Sequence, residues 1–271
     1  MGEVPLTVLL PVYDGEEYVG RTIESILSQS YGDYEFLIVD DGSRDGTPKI
    51  LERYAKRDPR IRLLQHSNHG VGYTLNRGIN EARGRLLAEI GADDLALPDR
   101  LQKQVDFLEG NPDYVLVGGY LRIIDPHDRP IGLRTYPTSD AKLRERMLLY
   151  NPFASPSLMY RRADALAVAG YTSRFSTSED YDFILRLARR GKVANLPEPL
   201  TAYRLHPGQT KSKATLRQLR DTVAIKRTAY AEYGYCATPL ARAVNLAQDA
   251  LALLPSRVTY WLFTKLAIRG E

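Results

Sequence analysis

The stretch VDDGSRDGT, residues 39–47, joins two adjacent carboxylates to a glycine-rich turn. The residues before it, YEFLIVD, form a short β-rich apolar run, which predicts a buried strand ending at Asp40. Pro48 suits the first turn of a helix that starts after Thr47, with Thr47 as its cap. The stretch is therefore predicted to be a strand-to-helix turn, at the edge where a parallel sheet presents its ligand site.

The same stretch is also close to a calcium loop of the EF-hand type. Counted from Asp41, oxygen-bearing side chains alternate, a glycine stands sixth and Glu52 stands twelfth. Two facts argue against calcium. A strand, not a helix, leads into the loop, and Pro48 at the eighth position has no N–H to donate.

Apolar runs alternate with segments of helical periodicity through residues 1–124. The predicted strands are LTVLLPVY (6–13), YEFLIVD (34–40), IRLLQ (61–65), RLLAEI (85–90) and YVLVGGYLRII (114–124). The predicted helices are EEYVGRTIESILSQS (16–30), TPKILERYAKR (47–57), VGYTLNRGINEAR (71–83, closed by Gly84) and LPDRLQKQVDFLEGN (97–111). This alternation predicts an α/β fold with a mostly parallel sheet, flanking helices and right-handed crossovers, similar to a Rossmann fold.

The pattern changes from about Asp125. The predictions are a loop or hairpin in DPHDRPIGLRTYP (125–137), a helix in SDAKLRERMLLYN (139–151), a strand in FASPSLMYR (153–161), a helix in SEDYDFILRLARRG (178–191) and two short strands in KVANLPEPLTAYRLH (192–206). Beyond Lys211 the pattern is helical. We therefore expect one domain over residues 1–210, with halves 1–124 and 125–210, followed by a basic helical extension over residues 211–271.

Composition and charge narrow the class of protein. The chain has 271 residues, 44% of them hydrophobic, enough for a packed core. The single cysteine, Cys236, suits a reducing compartment. We see no signal peptide and no apolar run long enough to span a bilayer, so we expect a cytoplasmic protein. Residues 211–271 hold ten Lys or Arg against four Asp or Glu, whereas residues 1–210 are mildly acidic, a distribution that argues against nucleic-acid binding.

Three acidic pairs follow or open predicted elements. They are Asp40 and Asp41, Asp93 and Asp94, and Glu179 and Asp180. An Asp at a strand end can accept hydrogen bonds from a base or ribose, an Asp pair can hold a divalent cation, and a carboxylate across the pocket can accept a proton. Each pair also has a purely structural explanation, as a turn or helix cap or as a complement to a helix dipole.

Five segments, in order, resemble the glycosyltransferase family 2 enzymes of the A-type fold. They are LLPVYDGEEYVGRTIESILSQSYGDYEFLIVDDGSRDGT (9–47), NHGVGYTLNRGINEARG (68–84), GADDLALPDRL (91–101), SEDYDFILRLARRG (178–191) and YRLHPGQT (203–210). The resemblance covers about residues 7–209. Five segments in the family's order are far more specific than any one of them.

The resemblance implies roles in donor binding. Pro11, Tyr13 and Asp41 would line the base pocket, with Tyr13 stacking and Asp41 accepting from the base. Asp93 would contact the ribose and share the metal with Asp94, as in the family's DxD motif.

The resemblance also implies the chemistry. Asp180 would be the catalytic base, with Glu179 beside it helping to bind the acceptor, and His206 would approach the metal or the diphosphate. The cofactor would be Mn²⁺ or Mg²⁺. Gly91 stands where many members carry the first Asp of a D-A-D-D motif, which leaves two carboxylates and puts the strength of metal binding in doubt.

The expected function is that of an inverting, metal-dependent glycosyltransferase. It would move a sugar from a nucleotide diphosphate, expected to be UDP, to a saccharide or lipid-linked acceptor in bacterial surface or exopolysaccharide synthesis. The alternatives are a non-catalytic nucleotide-sugar-binding protein of the same fold and a sugar nucleotidyltransferase. The second requires a Gly- and Arg-rich loop with a Lys after the first strand, which PVYDGEEY (11–18) does not supply.

The tail leaves alternatives open. Residues 255–271 mix Trp261, Leu262 and Phe263 with basic side chains, a composition that suits an interfacial helix on an anionic membrane. The helix would then hold the protein at the inner face of the plasma membrane. Alternatively, it packs on the domain or forms a homodimer.

Overall fold

The computed structural model describes residues 4–175, 177–208 and 215–253, so the predicted membrane contact of residues 255–271 lies outside the described residues. The first half alternates strands and helices. Its elements are β1 (Val4–Val12), α1 (Val19–Leu27), β2 (Tyr34–Asp40), α2 (Thr47–Arg57), β3 (Ile61–Gln65), α3 (Val71–Glu81) and β4 (Gly84–Glu89). The predicted alternation is confirmed.

The second half is less regular. Its elements are β5 (Leu95–Ala96), α4 (Arg100–Gly110), β6 (Tyr114–Ile124), β7 (Pro130–Arg134), α5 (Asp140–Arg146), a 3₁₀ turn (Ser155–Ser157), β8 (Met159–Arg161), α6 (Arg162–Ala167), α7 (Glu179–Leu187), β9 (Lys192–Arg204), α8 (Thr215–Ala231) and α9 (Pro239–Leu253). In the described part of the chain, no helix combines the length and the apolarity needed to cross a membrane.

The strands form one mixed sheet with four parallel and four antiparallel pairs of strands. Its order is β3-β2-β1-β4-β8-β6-β9-β5, and β7 pairs with β6 outside this path. The first four strands in this order, β3 to β4, are parallel to one another. Strand β8 is antiparallel to both β4 and β6, and β6 is parallel to β9. Residues 125–137, predicted as a loop or hairpin, contain the turn and the strand β7, which pairs with β6.

The central strands are apolar on both faces because helices cover both faces. On one face, Leu9 and Leu37 pack with residues of α3 and α7; on the other, Leu10 and Phe36 pack with residues of α1, α2 and α4. All seven residues of β2 are buried. A strand buried on both sides loses the period-two alternation, which explains why YEFLIVD is an almost uninterrupted apolar run.

Several local predictions are wrong. Residues 192–206 contain one long strand, whose pairing with β6 shifts register between Leu196 and Pro199. Gly84 begins β4, where a Cβ would lie 2.3 Å from the Thr7 backbone nitrogen, and does not close α3. Thr47 is the first residue of α2 and makes no capping bond. Neither α6 nor β5 was predicted, since both are too short to show a period.

Candidate active site

Hydrogen bonds join the loop after β1 to the loop after β2. Glu16 donates its N–H to Asp45 Oδ2 over 3.0 Å and accepts the Gly46 N–H at Oε2 over 2.5 Å. The Gly15 N–H donates to Thr47 Oγ1 over 2.9 Å. The turn that is close to a calcium loop in sequence thus uses Asp45 and Thr47 to hold two loops side by side.

Asp40 stabilises the start of that turn. Its Oδ1 accepts the N–H and the hydroxyl of Ser43, over 3.0 and 2.6 Å, and its Oδ2 accepts from Gln65 Nε2 over 2.8 Å. Asp40 is 1% exposed, so these bonds compensate the burial of its charge.

Asp41 fixes the segment that leads into α3. Its two carboxylate oxygens accept the N–H groups of His69 and Gly70, over 2.8 and 2.9 Å, and the side chain is only 5% exposed. An anion at this position also complements the positive end of the helix dipole. The contact of Asp41 with a nucleotide base stays a prediction.

A cavity of about 200 Å³, the first cavity, lies at the carboxyl ends of β1 and β4. Pro11, Gly91, Asp93 and Asp94 lie in its wall. Tyr13 follows β1 directly and is 43% exposed, so its ring is available to a ligand from solvent although it does not line this cavity. The sheet thus brings the predicted donor residues to one edge, as ligand sites of α/β sheets require.

The side chains of Asp93 and Asp94 converge in front of Gly91. A Cβ added to Gly91 would lie 2.8 Å from Asp94 Oδ2 and 3.0 Å from Asp93 Oδ1. Asp94 Oδ1 accepts the Arg204 N–H over 3.0 Å, and Asp93 Oδ2 lies 3.0 Å from His206 Nε2. The structure therefore brings together the three predicted metal-site residues, and a side chain at position 91 would displace two of them.

This donor set fits part of a divalent-cation site. Carboxylate oxygens are the ligands that Mg²⁺ and Mn²⁺ prefer, and Mg²⁺ commonly takes only one or two of them together with phosphate and water. Within the described ranges, no group of three or more His, Cys, Asp or Glu forms a metal-binding arrangement. Asp93 and Asp94 therefore suit a cation that takes its remaining ligands from a phosphate or from water.

A second cavity, of about 310 Å³, adjoins the first, since Pro156 and Tyr203 line both. Asp180, in the first turn of α7, lies in the wall of the second cavity. Its Oδ2 accepts from Asn151 Nδ2 over 3.4 Å, and its Oδ1 accepts the Tyr181 N–H over 2.9 Å. Asp180 therefore lies where a group entering from the second cavity can reach it.

Glu179 lies beside Asp180 in sequence but points elsewhere. A Cβ on Gly72, in α3, would lie 3.9 Å from Glu179 Cγ, so Glu179 packs toward α3. It does not line the second cavity. Its predicted help in acceptor binding stays a prediction.

The C-terminal helices supply part of the second cavity. Gln218 and Thr222 of α8 and Gln248 of α9 line it. Lys226 Nζ, in α8, donates to the Leu149 carbonyl over 2.7 Å and so ties the extension to the segment after α5. Composition predicted this helical extension, but not that its polar residues reach the site.

Glu89, the last residue of β4, is a site residue that sequence reasoning missed. It lines the first cavity and is 3% exposed. Burial raises the pKa of its carboxyl to about 7, hydrogen bonds from Tyr160 and Tyr171 oppose the rise, and the negative charge of Asp180 adds to it. The available signal was a lone acid in the otherwise apolar end of RLLAEI.

We expect Glu89→Gln to change how stability depends on pH. The pKa is about 7 in the folded protein and near 4.5 in the unfolded chain, so between these values only the folded protein keeps the proton. The free energy of unfolding of the wild type should thereby lose up to about 3 kcal/mol as the pH rises through this range. Glutamine does not titrate, so the free energy of unfolding of the variant should rise relative to that of the wild type over the same pH range. Above about pH 7 the difference between the two free energies should stay constant. Chemical denaturation at a series of pH values measures this, and a difference that is constant from pH 4 to 8 would contradict it.

Comparisons with known proteins identify the family. A sequence model described as Glycosyl transferase family 2 matches residues 7–168. The O-antigen biosynthesis glycosyltransferase WbnJ of Escherichia coli is 31% identical over 213 residues, which cover 77% of this chain and 83% of that protein.

Two solved structures share the fold. The mannosyltransferase PcManGT from Pyrobaculum calidifontis, in complex with GDP-Man and Mn²⁺, superposes with a TM-score of 0.66 at 19% identity, over 97% of this chain and 79% of that one. S. aureus TarS 1–349 in complex with UDP superposes with a TM-score of 0.60 at 19% identity, over 82% of this chain and 65% of that one. The predicted α/β fold with flanking helices is confirmed, and the chain belongs to glycosyl transferase family 2 and is a glycosyltransferase.

Proposed function

We propose that this protein transfers a sugar from a nucleotide diphosphate, UDP in our expectation, to a hydroxyl of a saccharide or lipid-linked acceptor, with inversion at the anomeric carbon. The observation that carries this proposal is the pair of adjoining cavities. Asp93 and Asp94 lie in the first and Asp180 lies in the second, with Pro156 and Tyr203 between them. A donor in one cavity and an acceptor in the other would meet at this shared wall.

Asp180 is proposed as the base. In a single in-line displacement, the acceptor hydroxyl loses its proton as its oxygen attacks the anomeric carbon and the nucleotide diphosphate leaves, which inverts that carbon. One base suffices for this step, and the hydrogen bond from Asn151 to Asp180 Oδ2 would hold the carboxylate in place.

Asp93 and Asp94 are proposed to hold a divalent cation. When bound, Mn²⁺ or Mg²⁺ would stabilise the negative charge that builds on the leaving diphosphate. The backbone N–H of Arg204 donates to Asp94 Oδ1, and the ring of His206 contacts Asp93 Oδ2. These contacts orient the two carboxylates for that role. The Mn²⁺ complex of PcManGT supports this part of the proposal.

The relatives support a place in surface polysaccharide synthesis. WbnJ is an O-antigen biosynthesis enzyme, and the TarS structure holds UDP. We extend the polysaccharide class and the UDP donor to this chain as proposals. A lipid-linked acceptor would place the protein at the inner face of the plasma membrane.

A thermal-shift panel tests the donor site. UDP, GDP, TDP, CMP and ADP are each added with and without Mn²⁺ at about a hundred times a typical dissociation constant, which should add about 2.7 kcal/mol of stability and raise Tm by several degrees. We expect one nucleotide, UDP, to give a shift that depends on Mn²⁺. Asp94→Asn should abolish the Mn²⁺-dependent part, whereas Asp99→Asn, an exposed carboxylate five residues on, should keep it. No shift with any nucleotide would contradict the proposal.

A further inference from the structure

The carboxyl of Glu89 joins the floor of the first cavity to the segment that carries Asp180. Its Oε1 accepts the hydroxyl of Tyr160, in β8, over 2.5 Å. The hydroxyl of Tyr171, in the loop between α6 and α7, lies 2.7 Å from Oε1 and 2.9 Å from Oε2. Two phenols that lie 71 and 82 residues further along the chain therefore meet on one buried carboxyl.

No cation forms a direct ion pair with this carboxyl in the described part of the chain. Among the described residues, no Lys, Arg or His nitrogen lies within ion-pair distance of its oxygens. Arg100, in α4, donates to the Glu89 backbone carbonyl over 2.6 Å and not to the side chain. The polar groups that face Glu89 are thus Tyr160, Tyr171, Asp180 and Arg100. Burying an acid is costly, and the two phenol bonds together with the charge of Arg100 offset only part of that cost, since the pKa of Glu89 stays raised.

Tyr171 connects Glu89 to α7. Its backbone N–H donates to Asn76 Oδ1 and its carbonyl accepts from Asn76 Nδ2, both over 2.7 Å. Its ring stacks on Phe183 with the centroids 4.4 Å apart at 23°, and Tyr160 meets the same ring edge-on at 5.2 Å. Phe183 lies one helical turn after Asp180, so the ring pair sets where the first turn of α7 lies.

We propose that Glu89 is a positioning residue which, through Tyr171 and Phe183, holds Asp180 in place in the wall of the second cavity. This inference rests on the proposed function, because it states that Glu89 controls the distance between the donor and the proposed base, Asp180. The bonds run from β4, the strand that leads into the Asp93–Asp94 loop, to β8 through Tyr160 and to the loop before α7 through Tyr171. Small displacements of a catalytic group cost large factors in rate, so such a link has a kinetic consequence.

Two variants of the link and one matched control test it. Tyr171→Phe removes the phenol bond and keeps the ring. Glu89→Gln keeps an oxygen at Oε1, so both phenols still have their acceptor. The control is Tyr233→Phe, because Tyr233 also donates a phenol hydroxyl to a carboxylate of α7, Asp182 Oδ1, over 2.8 Å, but does not contact Glu89.

The first measurement is amide hydrogen exchange of peptides that cover Glu179–Leu187, in the full-length protein without ligand. We expect Tyr171→Phe to raise the exchange rate of the first turn of α7 at least about tenfold, with Glu89→Gln and Tyr233→Phe within about twofold of the wild type. Unchanged exchange in Tyr171→Phe, or an equal rise in Tyr233→Phe, would overturn the proposal. This outcome does not depend on any activity.

The second measurement is hydrolysis of UDP-glucose and UDP-N-acetylglucosamine with Mn²⁺. Tyr171→Phe should lower kcat at least about tenfold with KM within about threefold, and the control Tyr233→Phe should keep most of kcat. Equal effects of Tyr171→Phe on kcat and KM would overturn the positioning role, since they would indicate general damage to the site. A wild type that hydrolyses neither donor and binds no nucleotide would instead contradict the proposed function, and the exchange rates would still decide this inference.

Discussion

Asp180→Asn is expected to lower the rate of sugar transfer by at least about a hundredfold, because general base catalysis contributes about 10²–10⁴-fold. Asp180 is a carboxylate in the wall of the second cavity, which shares Pro156 and Tyr203 with the first. Asparagine keeps the shape and an oxygen for Asn151, so the site should stay folded while the group that accepts the proton is lost.

The measurement is transfer of a labelled sugar from the nucleotide sugar whose base gives the largest thermal shift. Nucleotide binding should be unchanged in Asp180→Asn, since Asp180 does not line the first cavity. The loss should therefore fall on kcat and not on donor affinity. Asp113→Asn, whose carboxylate is 76% exposed and lies outside both cavities, is the matched control. Full transfer by Asp180→Asn would show that another group is the base.

The parallel half of the fold was predictable because its signals are local. Each of β1 to β4 is a short apolar run, and each connecting helix shows its own period. The pairing of β8 between β4 and β6 was not predictable, because three residues give no period and the antiparallel register depends on distant partners. The single strand β9 was mistaken for two because Pro197 and Pro199 are typical strand breakers, yet the ladder resumes after a shift of register.

The candidate site likewise has a part that local sequence signals predict and a part that depends on distant contacts. The Asp pairs follow β2 and β4, and the topology of a parallel sheet alone predicts that they lie at the same edge of the sheet. Glu89 could not be identified by such reasoning, because its hydroxyl partners lie 71 and 82 residues away in the chain. The polar wall supplied by α8 and α9 is likewise a tertiary result, since a basic helical composition indicates a solvated surface equally well.

Arg204 holds together three segments around the acidic loop. The residue is completely buried, and its Nη1 lies 2.5 Å from Asp128 Oδ1. Its Nε donates to the Asp93 carbonyl over 2.8 Å, and its guanidinium carbon lies 4.6 Å from the ring centroid of Tyr18. Arg204 therefore contacts the turn before β7, the loop of Asp93 and the start of α1.

Arg204→Met is accordingly expected to lower the free energy of unfolding by about 3 kcal/mol, because the carbonyls of Asp93, Asp125 and Pro126 lose their donor and each buried acceptor left unsatisfied costs about 1–3 kcal/mol. The total stability of a domain is about 5–15 kcal/mol, so the variant should be marginal or unfolded at elevated temperature. Chemical denaturation measures the loss. Arg122→Met, which removes an exposed arginine from the neighbouring strand β6, is the matched control and should cost far less. A loss no larger than that of the control would contradict the role of Arg204.

The dependence of this loss on pH separates the ion pair from simple packing. Burial alone would raise the pKa of Asp128, but hydrogen bonds from Arg204 and Arg21 hold it below its ordinary value of 3.8. A lowered pKa in the folded state contributes stability above the unfolded pKa and loses it as the pH falls further. The difference between wild type and Arg204→Met should therefore narrow below about pH 4, where Asp128 begins to be protonated. If only packing were lost, the difference would stay constant through this range, which chemical denaturation between pH 3 and pH 7 can decide.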